Sequence, residues 1–382
     1  MNNLVYHRVE PLNVKSTYTE NDIVDFVLDF EGRKMNFGSF RLNGKLKIVD
    51  GTTNNRPLDP RDIKLSGKAG VHSVIEGITT ELENGGVIEN IGSSYPRMVC
   101  MYGASSLSGG DYCMASKVSE GRTNADEANR SISYGQNITP GGNNAVFKDF
   151  EFSIKPMICL NQNSGASSVS YNKSGSVRVS FNLAKNIHAL HGHDTGTLNA
   201  GNYTNNGSSY ELSDLKVSFN SVPDDGQQDP INLKVSQIVK QVLSSQSANV
   251  SSKVPLVCSG VSCSFISQAS ENSFNVDTNE LQRPSNVRNV QFLFNNASNQ
   301  YVSYSLDREE QILDYGIKSL ANTGHHQVNK ETLKANDGYI LGVSFDSLVD
   351  LTNQNFNITL GSDITNANPF TFIQVFHGEI NL

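Results

Sequence analysis

Apolar and polar residues alternate with a period of two along much of this chain. The clearest run covers 40–48, with apolar Phe40, Leu42, Leu46 and Ile48 separated mainly by polar residues. The same alternation returns at 150–154, 177–183, 215–219, 290–294 and 356–360. Because successive strand side chains point to opposite faces, this period predicts strands with one buried face and one exposed face. An all-β fold made of sandwiches follows.

The strand candidates fall into two groups. At 382 residues the chain is too long for one hydrophobic core. Pro223 and Pro230 bracket acidic and amide residues that cannot continue a central strand. Each half offers about seven strand candidates, close to the eight strands of a jelly roll. We therefore predict two tandem eight-stranded jelly rolls, with short helices in their loops. The predicted division is an N-terminal arm over 1–20, a first jelly roll over 21–224, a linker over 225–232 and a second jelly roll over 233–382.

Local signals predict turns and helices between the strands. Asn84-Gly85 separates two alternating runs, which predicts a β-hairpin. Short helical segments are predicted at 70–76, 95–102 and 307–315. Another helix is predicted over 233–244, because its apolar residues follow helical spacing. Those residues are Val235, Ile238, Val239, Val242 and Leu243. Residues 103–144, rich in Gly, Ser and Asn, are predicted to form a long contact loop.

Composition limits the classes of function. The net charge is −8, from 30 basic and 38 acidic residues, and no Lys/Arg block is present. Direct binding to nucleic acid is therefore not expected. The N-terminus lacks the apolar core of a signal peptide, so we expect folding in a reducing cytosol. The five cysteines are odd in number and lack CxxC spacing, which predicts free thiols. They are Cys100, Cys113, Cys159, Cys258 and Cys263.

One cluster has the residue types of a metal site. His188, His191 and His193, with Asp194 beside them, could converge on zinc or nickel if their loop folded back. The simpler interpretation is a polar loop beside a strand end, because this spacing matches no established ligand motif. No catalytic constellation or phosphate-binding loop is evident either. We predict that the protein is not an enzyme, and we assign no catalytic, cofactor-binding or metal-binding residue.

Four stretches, taken in order, resemble a known family. The first is Gly70-Val71-His72-Ser73-Val74-Ile75 followed by a strand and Asn84-Gly85; the second is 210–225; the third is 290–296; the fourth is 338–343 with the terminal strand 370–376. Together they resemble the double jelly-roll major capsid proteins of tailless icosahedral DNA viruses, the adenovirus-type lineage. The likeness covers most of residues 22–382 and depends on the order of strands and turns.

The resemblance implies a structural protein of the virion shell, made and folded in the host cytoplasm. In that family three subunits form a capsomer of pseudo-hexagonal outline, and the capsomers tile the capsid faces. The implied partners are two further copies of the chain, neighbouring capsomers, penton and minor capsid proteins, and an internal membrane where the virion has one. The alternative from the residues alone is a tandem β-sandwich adhesin, a lectin or a receptor-binding viral spike.

Overall fold

The structure, a computed structural model, has twenty strands among the residues that it describes, in two consecutive groups. The described residues are 3–49, 63–106, 120–121, 150–162, 168–192, 209–226, 230–254, 257–274, 276–279, 282–295, 300–321 and 340–382. The predicted loop over 103–144 therefore lies mostly outside the described residues. Cys113, His193 and Asp194 lie outside them as well.

The first group of strands forms a sandwich that we call roll 1. Its strands are β1 (Val5–Val9), β2 (Ile23–Leu28), β3 (Arg33–Asn36), β4 (Arg41–Val49), β5 (Ile63–Leu65), β6 (Ile75–Leu82), β7 (Gly86–Ile91), β8 (Phe150–Ile154), β9 (Ser168–Ser170), β10 (Val177–Leu183), β11 (Leu190–Gly192) and β12 (Ser209–Pro223). One sheet has the order β1-β12-β4-β8, with β3 and β9 added beside β12, and the other has the order β2-β10-β6-β7. The remaining strands, β5 and β11, pair with each other.

The second group forms roll 2, a sandwich of eight strands. They are β13 (Asn232–Leu243), β14 (Ser247–Lys253), β15 (Val257–Ser267), β16 (Arg288–Asn295), β17 (Gln300–Leu306), β18 (Leu341–Asp350), β19 (Asn355–Gly361) and β20 (Phe370–Asn381). The two sheets have the orders β13-β20-β15-β18 and β14-β19-β16-β17.

The two rolls share one strand order. Without the four added strands of roll 1, each roll places its first strand beside its eighth, then its third and its sixth. The second strand of each roll lies beside the seventh, then the fourth and the fifth. This is the antiparallel Greek-key arrangement of a jelly roll. The prediction of two tandem eight-stranded jelly rolls is confirmed. The exact domain boundaries stay a prediction, because part of the linker lies outside the described residues.

The predicted N-terminal arm is wrong for residues 5–9. These residues form β1, the first strand of roll 1, and pair with β12 from Val5–Ser221 to Val9–Val217. Farther along the arm, Tyr18 is buried and bridges to Leu212. Strand β1 is short and its burial does not alternate regularly, so the local pattern predicts an irregular arm instead. Backbone pairing with β12, invisible in local sequence, holds it in the sheet.

The helix predicted over 233–244 is also wrong. These residues form β13, which pairs with β20 without interruption from Asn232–Asn381 to Leu243–Phe370. Long-range pairing satisfies its backbone, and its β-branched residues suit an extended chain. Alternation is lost because roll 1 covers part of its outer face, so neighbouring Val235 and Ser236 are both buried. The spacing of its apolar residues therefore matches that of the apolar stripe of a helix.

The helices occupy loops, as predicted. They are α1 (Tyr95–Ser106), α2 (Tyr171–Ser174), α3 (Asn186–Ala189), α4 (Gln268–Glu271) and α5 (Glu309–Ala321), with 3-10 turns at Gly70–Val74 and Cys159–Asn161. In each roll one long helix, α1 or α5, follows the fifth strand of the jelly roll. Helix α5 lies directly on β18. The approach is so close that a Cβ at Gly316 would stand 2.1 Å from the Ile340 carbonyl oxygen.

Most other sequence predictions are confirmed. The hairpin around Asn84-Gly85 joins β6 to β7, and β16 pairs with β17. In β4 the predicted apolar face is buried at Leu42, Leu46 and Ile48. The described cysteines are buried thiols outside any disulfide: Cys100, Cys159, Cys258 and Cys263. Large aromatic side chains, such as Phe181 in roll 1 and Phe292 in roll 2, fill the space between the sheets.

Candidate functional site at the interface between the rolls

The two rolls meet through one sheet edge of each. Strand β7, at an edge of roll 1, packs against β13, at an edge of roll 2. Helix α1 follows β7 and reaches across to side chains of β13 and β20. The 3-10 turn Cys159–Asn161 also contacts β13. We call this contact the roll–roll interface. It fixes how the two sandwiches stand side by side.

A chain of buried hydrogen bonds, which we call the central network, crosses this interface. The Tyr102 hydroxyl of α1 lies 3.2 Å from Ser236 Oγ on β13 and 3.1 Å from His377 Nδ1 on β20. His377 Nε2 lies 2.7 Å from Ser262 Oγ, and Ser262 Oγ lies 2.8 Å from Ser319 Oγ on α5. Ser319 then donates to the backbone carbonyl of Gly316. The network therefore joins α1 of roll 1 to α5 of roll 2.

One direction of donation satisfies every atom of the central network. Ser319 donates to the Gly316 carbonyl and so accepts from Ser262, which in turn accepts from an Nε2–H of His377. Nδ1 of His377 is then free to accept from the Tyr102 hydroxyl. This scheme needs a neutral imidazole, and burial lowers the pKa of His377 to about 3. The central network is neutral and fully paired at neutral pH.

A buried carboxyl group lies next to the central network. Glu89 of β7 is 2% exposed and accepts hydrogen bonds from the backbone N–H of Cys159 at 2.9 Å and of Ser236 at 3.2 Å. Burial raises the pKa of Glu89 to about 7, although both hydrogen bonds act in the opposite direction. Glu89 bonds the backbone of each roll at once, so its side chain positions β7 against β13.

A buried arginine, Arg97, lies at one side of the roll–roll interface. Arg97 of α1 is 5% exposed, and its Nε donates to the Thr278 carbonyl of roll 2 at 2.9 Å. Its Nη1 lies 3.5 Å from a carboxylate oxygen of Glu271, which also accepts from the Thr371 hydroxyl at 2.7 Å. A guanidinium that is buried in this way is stabilised only while its partners stay in place. Arg97 therefore ties α1 to the loop after β15.

A second charged group lies around Glu76 of β6. The Glu76 carboxylate accepts from the Ser94 N–H at 3.1 Å, and it lies 3.4 Å from His188 Nδ1 and 3.8 Å from Lys240 Nζ of roll 2. Burial alone would raise the pKa of Glu76, but the contacts with His188 and Lys240 outweigh it and hold the pKa at about 2. The His188 carbonyl accepts from the side chains of Thr278 and Asn279, also of roll 2.

The structure separates the histidines of the hypothetical metal cluster by role. His188 contacts Glu76, and His191 lies in β11 opposite Lys64. Within the described part of the chain, no three potential metal ligands come together. Because His193 and Asp194 fall outside that part, the metal hypothesis stays a prediction.

Glu309 and Glu310 lie in the first turn of α5, the position in which acidic side chains are favoured.

Sequence reasoning missed the roll–roll interface completely. Tyr102, Ser236 and His377 are distant in sequence and match no motif, so their convergence depends on the packing of the rolls. One available signal was the position of Glu89, a carboxylate near the end of an apolar hairpin strand. The arrangement is suited to holding two sandwiches in a fixed orientation, because its buried polar atoms are paired across the contact.

These features define a double jelly-roll protein, the fold of the viral major capsid proteins that the sequence resembles. The Faustovirus major capsid protein superposes with a TM-score of 0.65 at 9% identity, covering 100% of this chain and 90% of that chain. The Sputnik virophage structure, solved by cryo-EM, gives 0.64 at 9% identity, covering 99% and 86%. The mavirus major capsid protein gives 0.55 at 10% identity, covering 99% and 90%.

These likenesses are structural only. No protein-family model and no curated protein matches the sequence. Identities of 9–10% establish the shared fold over the whole chain. Among the described helices, none has the length and apolar content needed to cross a membrane.

Proposed function

We propose that the protein is the structural major capsid protein of an icosahedral DNA virus, and that three copies form a capsomer of pseudo-hexagonal outline. The observation that carries this proposal is the repeated strand order of the two rolls, fixed side by side by the roll–roll interface. Three copies would supply six similar rolls, which suits a hexagonal lattice. The likeness to capsid proteins over nearly the whole length of the chain supports the same conclusion.

The role is structural rather than enzymatic. The buried Tyr102, His377 and Glu89 serve contacts between the rolls, where a substrate has no access. The expected partners are two further copies, neighbouring capsomers, penton and minor capsid proteins, and an internal membrane where the virion has one. The expected location is the virion shell, after synthesis in the host cytoplasm.

Size-exclusion chromatography with light scattering tests the trimer. We expect three times the mass of one chain, independent of added sugars. A monomer that binds glycans would contradict the proposal and favour the adhesin or lectin alternative. Oligomeric state and glycan binding together therefore separate the capsid protein from the adhesin or lectin.

A further inference from the structure

The internal duplication leaves one half of an interface without a partner inside the chain. The roll–roll interface joins the fifth strand of roll 1, β7, and the helix after it, α1, to the first strand of roll 2, β13. The equivalent elements are β17 and α5 in roll 2, and β1 in roll 1. All four strands lie at sheet edges. Among the described strands, β17 pairs with β16 and β1 pairs with β12, so the two do not pair with each other.

The outward side chains of β1 have the character of an interface whose partner is absent from the chain. Alternation along the strand puts Leu4, Tyr6 and Arg8 on the face opposite His7, whose ring stacks on core residue Phe219. Leu4 is 57% exposed and Tyr6 is 65% exposed, and Arg8 is also exposed. On β13 the outward residues include Ser236 and Lys240, which contact roll 1.

The elements on the opposite side offer complementary charge. Helix α5 begins with Glu309 and Glu310, both exposed, and Gln311 beside them is exposed as well. Glu309 already pairs with Arg283, and the positive end of the helix dipole favours Glu310 beside it. Arg8 could pair with Glu310 across a contact, in the same way as Lys240 pairs with Glu76 inside the chain.

We infer that the outward face of β1, with Leu4, Tyr6 and Arg8, docks against β17 and the start of α5 of a second copy of this chain. The inference rests on the proposed function and names the surface that makes the trimer. The contact is heterologous, because different faces of the two copies meet, and such contacts close into rings when the rotation permits. Three copies close the ring with roll 1 and roll 2 alternating.

Chemical cross-linking tests this contact in the intact protein. The double variant Tyr6→Cys with Gln311→Cys is made in a Cys113→Ser background, so that the other native thiols are the four buried ones. A short bifunctional maleimide should give a covalent trimer on a denaturing gel. Each single variant should give no ladder. Absence of a covalent trimer from a protein that light scattering shows to be trimeric would overturn the inference.

A charge reversal gives an independent readout. Arg8→Glu with Tyr6→Asp should shift the protein from trimer to monomer, with circular dichroism unchanged because both side chains point outward. The matched control is Leu348→Asp on β18, another exposed apolar residue, whose equivalent strand β8 takes no part in the roll–roll interface. Trimers that persist with the charge reversal would overturn the inference and leave the proposed function standing. A monomeric wild-type protein would overturn both.

Discussion

The two rolls have the same strand order but present their first strands differently. Strand β13 of roll 2 has twelve residues, and its outer face contacts roll 1. Strand β1 of roll 1 has five residues, and its outer face is exposed. The neighbouring strand β20 is buried on both faces from Thr371 to His377, whereas Asp214 on its counterpart β12 of roll 1 is exposed. Duplication of a fold thus does not duplicate its surface: one face is covered within the chain, and its counterpart remains available to another copy.

Removing the start of roll 1 should have the largest effect. A chain beginning at residue 21 loses β1 and the buried Tyr18, whose hydroxyl donates to the Asn13 carbonyl at 3.0 Å. Loss of a buried aromatic side chain alone costs about 3–5 kcal/mol. We expect calorimetry to show that roll 1 unfolds at a lower temperature than it does in the wild type. The control, a chain beginning at residue 3, keeps Leu4 and all of β1 and should melt as the wild type does. Equal melting of both truncations would show that residues 1–20 are a peripheral arm, as the sequence predicts.

The next effect should come from the buried guanidinium of the interface. Arg97→Met leaves Glu271 and the Thr278 carbonyl without this partner, which should reduce the free energy of unfolding by about 3–5 kcal/mol. The matched control is Arg178→Met, which removes the more exposed ion pair with Asp25 and should cost roughly 0–1 kcal/mol. Denaturant titration measures both. Similar costs would mean that the buried contact of Arg97 with roll 2 contributes no more than an exposed ion pair.

The buried carboxyl group should make stability depend on pH. The pKa of Glu89 rises from 4.5 to about 7 on folding, so its contribution is complete below pH 4.5 and is lost as the pH rises to 7. The Glu89→Gln variant should therefore gain stability relative to the wild type across that window, by about 3 kcal/mol. The comparison variant is Glu76→Gln, whose group has a pKa of about 2 in the folded protein.

As the pH falls, the stability of the two variants relative to the wild type should change in opposite directions. The stabilisation from Glu76 is present above pH 4.5 and disappears as the pH falls to 2, so Glu76→Gln should approach wild-type stability in acid. Denaturant titrations at several pH values give both differences. Parallel curves for Glu89→Gln and wild type between pH 4.5 and 7 would contradict the burial of Glu89 between the rolls.

The smallest of these effects should come from one hydroxyl group. Tyr102→Phe removes the hydrogen-bond partner of His377 Nδ1 and Ser236 Oγ in a buried site. An unsatisfied buried polar group costs about 1–3 kcal/mol. Tyr171→Phe, at a half-buried position on α2, is the control and should change stability by less than about 0.5 kcal/mol. Thermal unfolding separates the two variants, and an unchanged melting temperature for Tyr102→Phe would rule out a stabilising central network.

Local sequence predicted those strands whose two faces have different surroundings. The alternation in β4 and β10 works because one face meets the core and the other meets solvent. It fails in β13, because roll 1 covers part of the outer face, and in β1, because pairing with β12 rather than burial defines the strand. The candidate site was beyond sequence reasoning for a related reason. Tyr102 and His377 are 275 positions apart, and only the packing of the rolls brings them together.

The most direct test of the account is electron microscopy of the purified protein in vitreous ice. The account predicts particles of three chains with six sandwich densities in a pseudo-hexagonal ring, in which β1 of each copy lies against β17 and α5 of the next. Isolated two-lobed particles at every protein concentration would contradict it.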